Sequence, residues 1–361
     1  MHSGEKKLFT IGPVEMFPST LDVRSKQVPY FRNGEFSSVV KAASAGLQEL
    51  AGAGQGARTI MLTCSGTGAM EAVVLNCLGR DDKALVIDGG SFGHRFRKLL
   101  DLHKIDHEAL ELSWDEELTS SHLGAFANKG FTALLVNLDE TSTGQLYNLD
   151  LLSSFCRQNH MKLIVDSISA FLSDPIDFDK AGIDALIVSS QKALSLAPGL
   201  SCVILSERVV NAILEKPSCE ACPCMYFDFA DYLSNGLRGQ TPFTPAVGVV
   251  YELRQRVESL IAAGGTGAEI ERVKCIAEDF RSRLVSLPIS IPAFPLSNAL
   301  TPIIFDNADA TAVLSKLEEQ FGYVLNPCGG ERARAMARVA HVGNHSIDDN
   351  ICLIDALAKV I

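Results

Sequence analysis

Three short stretches of this 361-residue chain hold the residue types from which an anion cradle and a reactive amine site are built. The first is Cys64-Ser65-Gly66-Thr67-Gly68-Ala69-Met70-Glu71, directly after the apolar run Thr59–Thr63. Small residues between a strand end and a helix start leave backbone N–H groups open to an anion, and the helix dipole favours negative charge there. Thr67 adds a hydroxyl. A plain strand-to-helix turn would use the same residues, so this stretch alone leaves both readings open. It lacks the lysine of a G-x-x-x-x-G-K-[ST] loop, which argues against a nucleoside triphosphatase.

The second stretch is Val165-Asp166-Ser167, where an apolar run ends. Parallel sheets present ligand-contacting groups at that end of their strands. A carboxylate there is costly to desolvate without a cation or several donors; a turn-capping role is the alternative. The third is Ser189-Ser190-Gln191-Lys192-Ala193, again just past an apolar run. A lysine among small residues at a strand end points to a desolvated amine of the kind that forms imines. A solvated loop lysine is the alternative. Taken together, the cradle, the Asp and the Lys form the set that pyridoxal phosphate requires. The phosphate goes to the helix start, the aldehyde to the amine, and the carboxylate keeps the pyridine nitrogen protonated.

In this order of motifs the chain resembles the class V pyridoxal-phosphate-dependent aminotransferases, near the alanine–glyoxylate, serine–glyoxylate and 2-aminoethylphosphonate–pyruvate enzymes. The resemblance runs from Thr10-Ile11-Gly12-Pro13 through Ser65–Gly68, Glu140-Thr141-Ser142-Thr143-Gly144, Asp166-Ser167-Ile168 and Ser190-Gln191-Lys192 to Arg338. It implies fold type I, a homodimer and active sites at the subunit interface. It also implies roles for individual residues. Lys192 is similar to the Schiff-base lysine, and Asp166 to the partner of the ring nitrogen. Ser65, Gly66, Thr67 and Gln191 match phosphate contacts. Phe92 matches the ring-stacking aromatic, Ile168 the residue on the opposite face, and Thr141 the contact to the ring hydroxyl. Thr241 and Thr244 match contacts lent by a neighbouring subunit. Arg338 matches the grip on the substrate carboxylate, and Gly12 would line that pocket. The activity implied is ping-pong transfer of an amino group from a small donor to a 2-oxo acid, with pyruvate or glyoxylate as acceptor.

Some residues do not follow the pattern. Arg32, in Tyr30-Phe31-Arg32-Asn33-Gly34-Glu35, sits where some relatives carry a His-Arg pair. It either reads a second anionic group of the substrate or pairs with Glu35. Cys219, Cys222 and Cys224 form a C-x-x-C-x-C cluster with no fourth ligand nearby, so no metal is expected. The histidines show no metal-ligand spacing. Cys328 precedes Arg338 and raises the alternative of a lyase or cysteine desulfurase, but Gln191, where desulfurases usually carry His, argues against it. A catalytically silent relative is a further alternative, against which the intact Lys192, Asp166 and Arg338 weigh.

The elements that must position these residues alternate along the chain. Strand-like runs at Thr59–Thr63, Ala84–Asp88, Ala109–Leu112, Ala133–Leu138, Leu163–Asp166, Leu186–Ser189 and Cys202–Leu205 are interleaved with helical patterns at Ala69–Leu78, Arg95–Leu102, Leu118–Asn128 and Leu149–Gln158. That alternation predicts an α/β fold with a mostly parallel seven-stranded sheet in a large domain. The short Ser189–Leu200 connection predicts one antiparallel strand. A smaller α+β domain follows, and the division is expected at residue 245, giving segments 1–245 and 246–361. Ser346 and Asp349 resemble a capping box.

The net charge is 32 − 43 = −11. It argues against nucleic acid or an anionic membrane as partner. Leu284–Phe305 is uncharged, but four prolines interrupt it, so it reads as connection plus buried strand rather than a membrane span. No apolar leader is visible, and the ten cysteines are too dispersed for a disulfide scaffold, so a reduced cytoplasmic setting is expected.

Overall fold

The apolar runs assemble into a seven-stranded sheet in the computed structural model, which describes residues 6–216 and 222–361. The order across the sheet is Arg58–Leu62, Ser201–Leu205, Ala185–Ser189, Lys162–Asp166, Ala133–Asn137, Lys83–Asp88 and Asp106–Glu111. Ser201–Leu205 runs antiparallel to both its neighbours, and the other strands are mutually parallel. Its reversal follows from the short connection after Ser189, which cannot carry a crossover helix. Ala133–Asn137, Ala185–Ser189 and Ser201–Leu205 are buried along their whole length, as a sheet covered on both faces requires.

The helices Gly66–Cys77, Ser91–His103 and Leu149–Gln158 stand where periodicity places them. Leu149–Gln158 buries Leu152, Phe155 and Cys156 at helical spacing, and its Asn148 cap accepts from the Leu151 amide at 3.0 Å. The helix expected over Leu118–Asn128 is only Ser120–Gly124; the chain continues as turns, and Asn128 and Gly130 take positive φ. Conversely, the 18-residue helix Gly34–Ala51 is absent from the sequence reading.

A second sheet has the order Lys7–Phe9, Tyr323–Pro327, Met336–Ala340, Leu300–Phe305 and Ile289–Ser290. Its core joins Phe280, Val313, Leu317, Leu353 and Leu357 from the helices that cover it. The last of these, Ile347–Val360, starts with the expected Ser346–Asp349 capping box. Leu284–Phe305 is a 3₁₀ turn, a short strand and a buried strand, and no described helix is long and apolar enough to cross a membrane.

Packing on either side of residue 245 supports a different division. Val250, Leu253, Val257 and Leu260 of the helix Val247–Ala262 are buried in the same apolar cluster as the Gly34–Ala51 helix. Lys7–Phe9 instead pairs, in parallel, with Tyr323–Leu325 of the small sheet. We therefore propose that the small unit begins after Ala262 and takes the first strand with it.

Candidate active site

The parallel strands deliver three polar side chains to one edge of the large sheet. Asn137 and Asp166 end adjacent strands in register. Asp166 is 4% exposed; its Oδ1 accepts from the Ile168 amide at 2.8 Å and its Oδ2 from the Asn137 side chain. Burial pushes its carboxyl up to about 6, and these donors limit the rise. Lys192 follows the next strand, and burial pulls its amine down to about 8. A Cβ added at Gly12 would lie 3.0 Å from Lys192 Cδ and Cε and 3.1 Å from Nζ, so any side chain there would push the lysine aside by a few tenths of an ångström. The sequence reading of Asp166, Lys192 and Gly12 thus becomes one cluster.

Asn137 was not singled out, because its role depends on strand pairing. Nor was Asp139, which is 2% exposed and whose two carboxylate oxygens make no hydrogen bond among the described residues. Burial, followed by the nearby Asp174 carboxylate, pushes it up to about 8, with Ser169 and Ser297 close enough to ease the shift. Among charged neighbours Asp139 is the one that most favours the ammonium form of Lys192, whereas Arg338 and Arg95 oppose it.

The small residues form a strand-to-helix turn. Ser65 is extended at the N-cap of Gly66–Cys77, no side chain caps that helix, and its first turn holds no acidic residue. Gly66 is packed against Ile168, whose Cδ1 would be 2.3 Å from an added Cβ. Thr67 Oγ1 accepts from Arg95 at 2.8 Å. Gln191 turns its carbonyl to the Ser189 hydroxyl at 2.7 Å. Phe92 opens the helix Ser91–His103, whose first amides are held by the fully buried Glu140: its carboxylate accepts from Phe92 at 3.2 Å and Gly93 at 3.0 Å. Glu140 therefore fixes the aromatic from the hairpin that also carries Thr141.

Thr141 and Arg338 meet across the two sheets. Arg338 Nη1 donates to the Thr141 carbonyl at 3.0 Å and Nη2 to the Pro327 carbonyl at 2.8 Å, while its buried Nε has no partner among the described residues. The Thr141 hydroxyl lies 2.8 Å from Ser169 Oγ. Phe92, Ser142, Trp114, Cys328 and Arg338 share a cleft of about 870 Å³. Cys328 thus faces the same cleft as Arg338, but burial raises its thiol, which disfavours the thiolate a desulfurase would use.

Other candidates lie elsewhere within the chain. Arg32 donates to the carbonyls of Thr241 at 2.6 Å and Pro242 at 3.0 Å and makes no ion pair with Glu35 among the described residues. Thr241 Oγ1 donates to the Phe243 carbonyl, and Thr244 is exposed. None of the three hydrogen-bonds to the Lys192 cluster among the described residues. Cys219 lies outside the described residues; Cys222 and Cys224 are free thiols, and no described group of His, Cys, Asp or Glu is arranged to hold a metal.

The sequence profile of the class-V aminotransferases matches residues 26–333, a span that contains Lys192 and Asp166 but neither Gly12 nor Arg338. A protein named soluble hydrogenase, small subunit, from Synechococcus sp. is 26% identical over 97% of this chain and 91% of its own. A 2-aminoethylphosphonate–pyruvate transaminase of Bacteroides fragilis is 28% identical over 83% of each. The crystal structure of an alanine–glyoxylate aminotransferase from Nostoc sp. superimposes with a TM-score of 0.92 at 23% identity, covering all of this chain and 96% of the other.

Proposed function

Since the chain belongs to the class-V aminotransferases, we propose that it moves an amino group from a small amino donor to a 2-oxo acid with pyridoxal 5'-phosphate as carrier. The observation that carries this reading is the convergence of Lys192, Asp166 and Gly12 at one edge of the large sheet, with Arg338 near enough to act on the Lys192 charge. The donor set fits the cofactor. A desolvated carboxyl at Asp166 calls for a cationic partner, which a protonated ring nitrogen would be. An uncapped helix start with the Thr67 hydroxyl suits a phosphate. The Gly66–Ile168 contact and Phe92 offer apolar surface for a flat ring.

When bound, pyridoxal phosphate supplies an electron-withdrawing ring for the electron pair released as the donor's Cα–H bond breaks. The chain's residues do the rest. Arg338 presents a planar fork to the donor's carboxylate, which orients the Cα–H bond toward Lys192. Lys192, with its amine near 8, holds a proton reversibly close to neutral pH and is placed to take it from Cα and return it at the next atom. Asp166 keeps the ring-nitrogen proton in place. Gln191 and Thr141 offer contacts to the phosphate and the ring hydroxyl.

Pyruvate and glyoxylate are the acceptors favoured by the names of relatives. We infer further that two copies share their sites. Arg32 holds the Thr241–Pro242 backbone, and neither Thr241 nor Thr244 hydrogen-bonds to Lys192 of its own chain among the described residues, which supports contacts lent to a neighbour. The dispersed free thiols support a reduced, cytoplasmic setting. Borohydride treatment of the loaded protein, followed by peptide mass mapping, should place the cofactor's mass on Lys192. Attachment at another lysine, or none, would overturn the reading. A screen of amino donors by single-turnover absorbance then identifies the substrate.

A further inference from the structure

Arg95 is a half-buried cation placed where a cation is least welcome. Its Nη1 lies 2.8 Å from the Thr67 hydroxyl, in the first turn of Gly66–Cys77, and its guanidinium carbon is 4.6 Å from the centre of the Phe92 ring. That helix start has no side-chain cap and no acidic residue, so it carries an unneutralised partial positive charge. Arg95 also disfavours a proton on Lys192, which places a third positive group within electrostatic range. Yet Arg95 has no carboxylate partner among the described residues. On the same helix, Arg97 reaches both Asp88 at 2.7 Å and Glu111 at 2.6 Å. Arg95 is not needed to hold its helix either, because Glu140 already accepts from the first amides.

A stable fold that gathers an unpaired guanidinium, a hydroxyl and free helix amides, with no acid among them, is arranged for an anion of high charge. We propose that Arg95 is a further phosphate-binding residue of this site, contributing to the cofactor's dianion the one full positive charge that the Ser65–Thr67 cradle lacks. The planar fork of arginine suits phosphate oxygens, and the ring of Phe92 beneath it restricts the guanidinium to a narrow range of positions. The inference rests on the cofactor reading above.

The test compares two ligands that differ only in the phosphate. Binding of pyridoxal 5'-phosphate and of pyridoxal to the full chain, freed of cofactor, is followed by the fluorescence of Trp114, the single tryptophan. Arg95→Gln should weaken pyridoxal 5'-phosphate binding about 10- to 100-fold, the range for a charge-assisted hydrogen bond, and leave pyridoxal unchanged. Arg95→Lys should recover part of the loss, and inorganic phosphate should compete less well in Arg95→Gln than in the parent. Equal weakening of both ligands would show a merely structural role, and unchanged affinity for pyridoxal 5'-phosphate would show that Arg95 is no ligand; either overturns the proposal. Failure of the parent chain to bind pyridoxal 5'-phosphate would instead remove the cofactor reading itself, and this inference with it. Circular dichroism identifies a variant that has not folded, in which case the Arg95→Lys ratio of the two affinities decides.

Discussion

Replacing Asp139 by Asn keeps the shape of a buried side chain and removes its ability to ionise. In the unfolded chain this carboxyl ionises near 3.8; in the fold, burial pushes it up to about 8. A carboxyl raised in this way contributes its full stability below its unfolded value. That contribution is lost as pH climbs from about 4 toward 8, because the unfolded chain ionises first. At pH 7 the gap above 3.8 spans about three pH units at about 1.36 kcal/mol each, so the ionisable side chain costs the fold roughly 4 kcal/mol as an upper bound. Asp139→Asn should therefore be more stable than the parent at pH 7 by up to that amount and equal to it at pH 3.5. Asp166, also raised to about 6, is present in both chains, and any easing of the neighbouring Asp174 carboxyl adds to the same gain. Urea unfolding of the cofactor-free proteins at several pH values between 3.5 and 8 measures it. The gain comes at the expense of the lysine: Asp139 favours the charged amine, so its loss should move Lys192 below about 8 and shift the pH dependence of cofactor attachment to lower pH. Parallel stability–pH curves for the two proteins would refute the argument, since they would mean that Asp139 ionises alike in both states.

Three smaller perturbations test other contacts. Arg338→Ala should raise KM for carboxylate-bearing donors by about 10- to 100-fold, with a smaller change for donors lacking a carboxylate; steady-state kinetics on such a pair separates grip from general damage. Gly66→Ala drives a Cβ to 2.3 Å from Ile168 Cδ1, so Ile168 must shift toward the ring's place, and cofactor affinity should fall on the order of tenfold by titration while helix content is kept. Ser346→Ala removes the cap of Ile347–Val360 and should lower stability by about 1 kcal/mol in urea unfolding without altering turnover.

The large sheet was legible because its strands are short β-branched runs between helical patterns, and burial on both faces leaves little else for such runs to do. Gly34–Ala51 was missed although Asn33 accepts from the Phe36 amide and Gly52 closes the helix in the left-handed region. Its many small residues blur the apolar stripe on which periodicity depends. Lys192 and Asp166 stood out because strand-end position is a local property. Asn137, Glu140, Asp139 and Arg95 did not, since their roles arise from register and from approaches between residues 28 to 53 positions apart. Arg32 shows the same limit: the local alternative of a partner at Glu35 loses to backbone carbonyls 209 and 210 residues away.

The first strand has a mechanical consequence. Lys7–Phe9 is joined to Tyr323–Leu325, the Ile11 amide donates to Asn326 Oδ1 at 2.5 Å, and Asn326 stands opposite Arg338 in the sheet. Gly12, which abuts Lys192, and Arg338, which lines the cleft, are thereby linked through one sheet, although 326 positions of chain separate them. Any rocking of the small sheet against the large one would change the clearance around the amine and the position of the guanidinium in the same stroke. Severing the first strand would uncouple those two movements.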